Sequence, residues 1–227
     1  MKFITIAGPP SCGKTAVLIH TIKRLLEDNT KVAVGKIDCL ETDDGERYKK
    51  LGIPVIVGLS GDLCPDHYYV SNLEEILCWA KKNLADITIL ETAGLCHRCA
   101  PAIVGCLSVV VIDNLSGIDT PRKIGPVLTT ADVVVITKGD IVSQAEREVF
   151  RQKIRLVNLE AEILEFNGLT GKGSVRLRKI LFDSPEINTL VDETLRSSMP
   201  ASICSYCTGE TRIGNSYQLG NVLKIVS

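Results

Sequence analysis

Aromatic side chains make up 4% of the 227 residues, so the chain has little from which to build stacking platforms for single-stranded nucleic acid or sugars. Excess charge is missing too: 26 Lys and Arg stand against 27 Asp and Glu, a formal net charge of −1. That balance offers no field to gather nucleic acid or an anionic membrane surface, and neither is expected as a partner. No apolar run approaches the roughly 18 residues of a membrane span, so no span is expected. The opening apolar residues meet Gly8-Pro9-Pro10 too early for a signal peptide, and the expected location is the cytoplasm. Internal repeats, low-complexity tracts and a Ser/His/Asp signature are all lacking.

Hydrophobic residues at 45% and charged residues at 23% are ordinary for a chain that buries a sizeable core. The length fits one domain with an appendage. Nine cysteines stand out. An odd number without a leader argues against a secreted disulfide framework and for metal or redox chemistry.

Short β-branched runs alternate with helical patterns through about residue 182. Strands are expected at 2–7, 31–37, 54–59, 86–91, 107–113, 132–137 and 161–166, several of them nearly all apolar, as strands covered on both faces must be. Helices are expected at 14–28, 71–83, 143–155 and 173–182, with capping boxes at Ser71/Glu74 and Ser143/Glu146. This is the α/β pattern of a mostly parallel twisted sheet with helices on both faces. We divide the chain into a domain over 1–183 and a small Cys-containing extension over 184–227, the latter opening with a helix at 186–198 and continuing into hairpin-like runs.

Gly8-Pro9-Pro10-Ser11-Cys12-Gly13-Lys14-Thr15 follows a hydrophobic strand and opens a helix, meeting both the pattern and the context of a phosphate-binding P-loop. Its glycines let the backbone wrap phosphates while the helix amino end, through Ala16, aims N–H dipoles at them. Lys14 is expected on the β- and γ-phosphates and the Thr15 hydroxyl on Mg²⁺. The same helix end is expected to depress the Cys12 thiol.

Thr137-Lys138-Gly139-Asp140 closes the sixth strand, where ligands bind in such sheets. Asp140 can accept the guanine ring N–H and exocyclic amine, and the Lys138 stem can cover the base. Glu91-Thr92-Ala93-Gly94 ends the fourth strand, placing a carboxylate for a Mg²⁺-bound water and the Gly94 N–H for the γ-phosphate. Asp38, ending the second strand, is the matching Mg²⁺ candidate. Gly168, in the loop after the seventh strand, is expected beside base and ribose.

Residues 8–15, Asp38, Cys64-Pro65, Glu91 to Gly94, a Cys-Ala-Pro run at 99–101, Thr137 to Asp140 and Thr170-Gly171-Lys172-Gly173 occur in an order that resembles the GTPases maturing nickel enzymes. These are the urease accessory and hydrogenase maturation proteins, UreG and HypB, with the CobW group as cousins. The resemblance spans residues 1–182. It implies a dimerising P-loop GTPase of the SIMIBI class that couples GTP to delivery of a transition metal to a client metalloenzyme or accessory protein. Asp66 here separates Cys64-Pro65 from His67, where the urease type has Cys-Pro-His, and Thr92 stands where the hydrogenase type has Asn.

Cys96 and Cys99 lie just beyond Gly94, and Cys204 and Cys207 repeat their spacing; such pairs chelate one ion. They suit a switchable nickel or zinc site, a structural zinc clip, or an iron–sulfur cluster held within one chain or across a homodimer. The resemblance makes Cys64 and His67, in the loop after the third strand, further candidate ligands. Cys78 and Cys106 are expected in the core. An ATP-dependent iron–sulfur carrier and a small-molecule P-loop kinase are the competing functions.

Overall fold

The computed structural model describes residues 1–94, 102–197, 209–220 and 222–225. Among these residues seven strands form one sheet: β1 (Lys2–Ala7), β2 (Val32–Asp38), β3 (Val55–Leu59), β4 (Ile87–Glu91), β5 (Leu107–Asp113), β6 (Val133–Thr137) and β7 (Glu162–Glu165). Their order is β3-β2-β4-β1-β5-β6-β7 and every pairing is parallel. The helices are α1 (Lys14–Glu27), α2 (Asp44–Lys49), α3 (Pro65–Ser71), α4 (Leu73–Lys82), α5 (Thr120–Lys123), α6 (Pro126–Thr129), α7 (Gln144–Val157) and α8 (Ser174–Phe182).

The expected α/β architecture is what forms. β4 and β5 are buried at every position because both sheet faces are covered. On one face Val17, Leu18, Ile22 and Leu25 of α1 and Leu177 and Leu181 of α8 pack on β1, β4 and β5. On the other, α3 and α4 cover one half and α6 and α7 the other. β1 is central, with β4 and β5 on either side, so connections diverge there and leave a crevice at the strand carboxyl ends.

Ser143 caps α7 as expected: its Oγ accepts from the Glu146 N–H, and Glu146 accepts from the Ser143 N–H. The Ser71 box does not form. Pro65 at the first position starts α3 early, and Ser71 is its last residue. Glu74 accepts instead from the Asn215 N–H of the extension. Asn72, between the two helices, donates to the Tyr68 and Leu223 carbonyls and accepts from the Ile225 N–H, joining helix to tail.

The helix expected at 186–198 is absent over its described residues. Asn188, Thr189, Asp192 and Thr194 favour turns and local side-chain hydrogen bonds over helix; Thr189 Oγ1 takes the Val191 N–H, and Asp192 has φ 66°. The segment runs extended, bridging Lys2 with Glu186, Ile103 with Leu195 and Thr194 with Arg212. Leu190, Leu195, Ile213 and Ile225 enter the same core as α3 and α4. Among the described residues no helix is long and apolar enough to cross a membrane.

Arg196 pins this extension. Its guanidinium donates to the carbonyls of Ile103, Cys106 and Thr130 and to both Asp132 oxygens. Arg196→Ala strands those acceptors and is expected to cost about 3 kcal/mol in urea unfolding, since bonds to charged groups are the strong ones. A loss under about 0.5 kcal/mol, the level of an ordinary surface change, contradicts this.

Candidate nucleotide and metal site

The loop at 8–15 is shaped by backbone only glycine adopts comfortably. Gly8 has φ 143°, and a Cβ there would lie 2.0 Å from the Val111 carbonyl oxygen of β5. Gly13, φ 96°, is the residue before α1. Lys14 Nζ donates to the carbonyls of Gly8 and Pro9, both at 3.0 Å, so its ammonium lies across the loop. Cys12 differs from expectation: its Sγ faces the Val111 carbonyl at 3.2 Å, and burial pushes the thiol up despite the lowering pull of Lys14. It is packing, not a reactive thiol.

Beside the loop lies a cavity of about 400 Å³ lined by Ser11, Gly13, Lys14, Thr15, Ala16, Asp38 and Glu91, all anticipated, and by Lys36, Asp44 and Arg47, which were not. Glu91 is fully engaged. Its Oε1 accepts from Thr15 Oγ1 and Lys36 Nζ, each at 3.0 Å, and its Oε2 from the Tyr48 hydroxyl. Lys36 also meets Asp44 at 3.0 Å and Asp38 at 3.6 Å. Burial alone would lower the pKa of Lys36, but Glu91 and Asp44 outweigh it and hold the ammonium above its usual pKa. Burial likewise opposes ionisation of Asp44, and Lys36 overrides it, lowering the carboxyl.

These partners were legible in part. Lys36 and Asp38 are two apart on a strand and so share a face. Arg47 and Tyr48 follow Asp44 at helical spacing, which brings them over the same spot. Hydroxyl and carboxylate oxygens from Thr15, Asp38 and Glu91 suit a hard divalent cation that keeps its waters. Among the described residues no three His, Cys, Asp or Glu side chains converge into an all-protein metal cage.

Gly94 rests on the phosphate loop. With φ 78°, a Cβ there would lie 2.0 Å from the Gly8 carbonyl oxygen and 2.8 Å from Lys14 Nζ. The loop after β6 is tied to the same place, because Thr137 Oγ1 donates to the Cys12 carbonyl at 2.6 Å. Lys138, φ 55°, reaches Asp113 at 3.3 Å. Asp140 lines a second cavity of about 150 Å³ together with Arg147, Glu165, Phe166, Asn167 and Lys172. Gly168 lies outside that lining. Its carbonyl meets His20 Nε2 at 3.1 Å, so it anchors the loop to α1.

Cys96, Cys99, Cys204 and Cys207 fall outside the described residues. Cys64 is half-buried at the start of α3. Cys106 is buried, but Cys78 is exposed, because Leu73, Ile76, Leu77 and Ala80 form the inner stripe of α4. Asp66 and His67 are buried; burial pushes the Asp66 carboxyl up to about 7 and lowers His67.

The nucleotide-binding-domain model of the CobW/HypB/UreG family matches residues 2–165. The chain belongs to that family. A protein of Methanocaldococcus jannaschii, described as uncharacterized, is 55% identical over 99% of this chain and 96% of its own. The urease accessory protein UreG of Edwardsiella ictaluri is 29% identical, covering 81% of this chain and 97% of its own. In fold, the hydrogenase maturation factor HypB of Archaeoglobus fulgidus aligns with a TM-score of 0.65 at 24% identity, over 80% of this chain and 89% of that one. HypB from Helicobacter pylori in complex with nickel aligns at 0.64 and 17%, over 83% and 91%. The matching model is that of the family's nucleotide-binding domain, and the matched residues include the loop at 8–15.

Proposed function

We propose that the protein is a GTPase that couples nucleotide state to delivery of a transition metal, nickel or zinc, during assembly of a client metalloenzyme. The observation that supports this is the close approach of Gly94 to the phosphate loop, where a Cβ would lie 2.0 Å from the Gly8 carbonyl oxygen and 2.8 Å from Lys14 Nζ, with Cys96 and Cys99 two and five residues further on in the sequence. UreG and HypB relatives support the metal half of the reading.

Lys14 compensates β- and γ-phosphate charge, the Gly94 N–H meets the γ-phosphate, and Lys138 and Asp140 hold guanine, with Gly168 fixing the loop beside it. Thr15 and Asp38, with Glu91 through a bound water, would hold Mg²⁺, which would neutralise the phosphates. Arg47 supplies a further cation at the cavity rim, held by Asp44 at 3.1 Å. A water-positioning Gln is not among the motifs, so turnover is slow in the isolated chain and faster in a homodimer or with the client. Lys14→Ala is expected to lower GTP turnover at least about a hundredfold, the scale of losing a fixed charge at a transition state. Undiminished phosphate release by that variant refutes the assignment.

The metal half is tested by anaerobic nickel and zinc titrations of the full chain with GDP and with a non-hydrolysable GTP analogue. Linkage through Cys96 and Cys99 predicts affinities that differ about 5- to 150-fold. Identical affinities leave a structural metal site, or none.

A further inference from the structure

Lys36 is a buried charge that the nucleotide reading does not use. Its side chain is 3% exposed, yet it lies in the phosphate cavity rather than in an apolar core. Its Nζ stands 3.0 Å from Glu91 Oε1, 3.0 Å from Asp44 Oδ2 and 3.6 Å from Asp38 Oδ2. Thr15 Oγ1 donates to the same Glu91 oxygen. The ammonium therefore occupies the space among the hydroxyl and carboxylates that a divalent ion and its waters would engage.

We propose that Lys36 is a tethered cation of the phosphate pocket, sharing with Mg²⁺ the neutralisation of the carboxylates and of the entering phosphates, so that nucleotide binding depends only weakly on divalent ions. The proposal rests on the nucleotide-binding reading of this cavity. A diphosphate entering without a metal ion meets two ammonium groups, Lys14 and Lys36, set by the fold. Without Lys36 it faces Asp38, Asp44 and Glu91 with Lys14 and the rim guanidinium of Arg47 as the remaining cations among the described residues that line the cavity. A divalent ion then has to supply the missing charge. Conversely, the same three carboxylates are already satisfied in the nucleotide-free protein and have little to gain from Mg²⁺.

The test uses fluorescent GDP and ADP, titrated into the full chain in Mg²⁺ and in chelator, for the wild type, Lys36→Met and Lys36→Arg. Chelation should weaken binding by less than about tenfold in the wild type and in Lys36→Arg, and by at least about a further tenfold in Lys36→Met, given the strength of charge pairs at this range. An equal chelator effect in wild type and Lys36→Met overturns the proposal. A second arm needs no variant: millimolar Mg²⁺ should leave the melting temperature of the nucleotide-free wild type unchanged, and a clear rise overturns the proposal. Equal affinity for GDP and ADP would instead refute guanine recognition and leave the Lys36 comparison readable on either nucleotide.

Discussion

Asp140→Asn should reverse the base preference of the protein, weakening GTP binding by roughly a hundredfold or more while improving binding of xanthosine triphosphate. A carboxylate accepts from two guanine donors, the ring N–H and the exocyclic amine, and each such charged bond contributes about 1.5–3 kcal/mol. The amide keeps one acceptor and turns an N–H toward the amine, so one bond is lost and a donor faces a donor. Xanthine carries a carbonyl where guanine carries the amine, and that carbonyl pairs with the new N–H. The effect should be confined to the base. Asp140 lines the smaller cavity, whereas the phosphate loop and the Glu91 cluster line the larger one. The link between them, Thr137 Oγ1 to the Cys12 carbonyl, does not involve the Asp140 side chain. Competition titrations with GTP, xanthosine triphosphate and ATP measure the outcome. A variant that retains its GTP preference to within about threefold, less than 1 kcal/mol, would show that Asp140 does not read the base.

All seven strands were legible because each is a short run of β-branched or apolar residues bounded by turn formers, and burial on both faces removes the ambiguity of alternation. Helix α2 was not. Asp44-Gly45-Glu46-Arg47-Tyr48-Lys49 has no apolar stripe, and its one large buried side chain, Tyr48, is there to meet Glu91. Helix α3 was hidden by the Cys64-Pro65 signature, which reads as a loop ligand motif and serves locally as a helix start. The extension deceived the periodicity test for a different reason: Ile187, Leu190 and Leu195 are spaced for a helix but reach the core from an extended chain held by Arg196. Local motifs pointed to the loop at 8–15, Asp38 and Glu91, which line the larger cavity, to Gly94 beside that loop, and to Asp140, which lines the smaller cavity. Lys36 escaped because a lysine within an apolar strand looks like a residue pointing to solvent, and its two nearest partners come from other elements, at Asp44 and Glu91. The spacing of Lys36 and Asp38 shows only that they share a face, and neutralisation by Asp44 and Glu91 from other elements leaves no spacing to read.

That cluster makes Glu91 the side chain whose loss should cost the fold most. Glu91→Ala removes the acceptor of Lys36, Thr15 and Tyr48 at once, and all three are buried. Breaking a buried ion pair from one side costs about 3–5 kcal/mol, and the contacts that Lys36 keeps with Asp44 and Asp38 set the expected loss at the lower end of that range. Glu91→Gln should cost less, since one carbonyl oxygen still accepts from the Lys36 ammonium. Lys36→Met exposes the opposite imbalance, leaving Glu91 and Asp44 to repel each other within the same cavity. If the two residues act as one unit, the double variant Glu91→Ala/Lys36→Met removes both charges and should be less destabilised than the sum of the single variants by at least about 1 kcal/mol. Urea unfolding of the four proteins in chelator, without nucleotide, closes the cycle. Additivity within about 0.5 kcal/mol would mean that Glu91 and Lys36 stabilise the sheet end independently, and the phosphate cavity would then owe its shape to the packing of α1 and α2 rather than to this ion cluster.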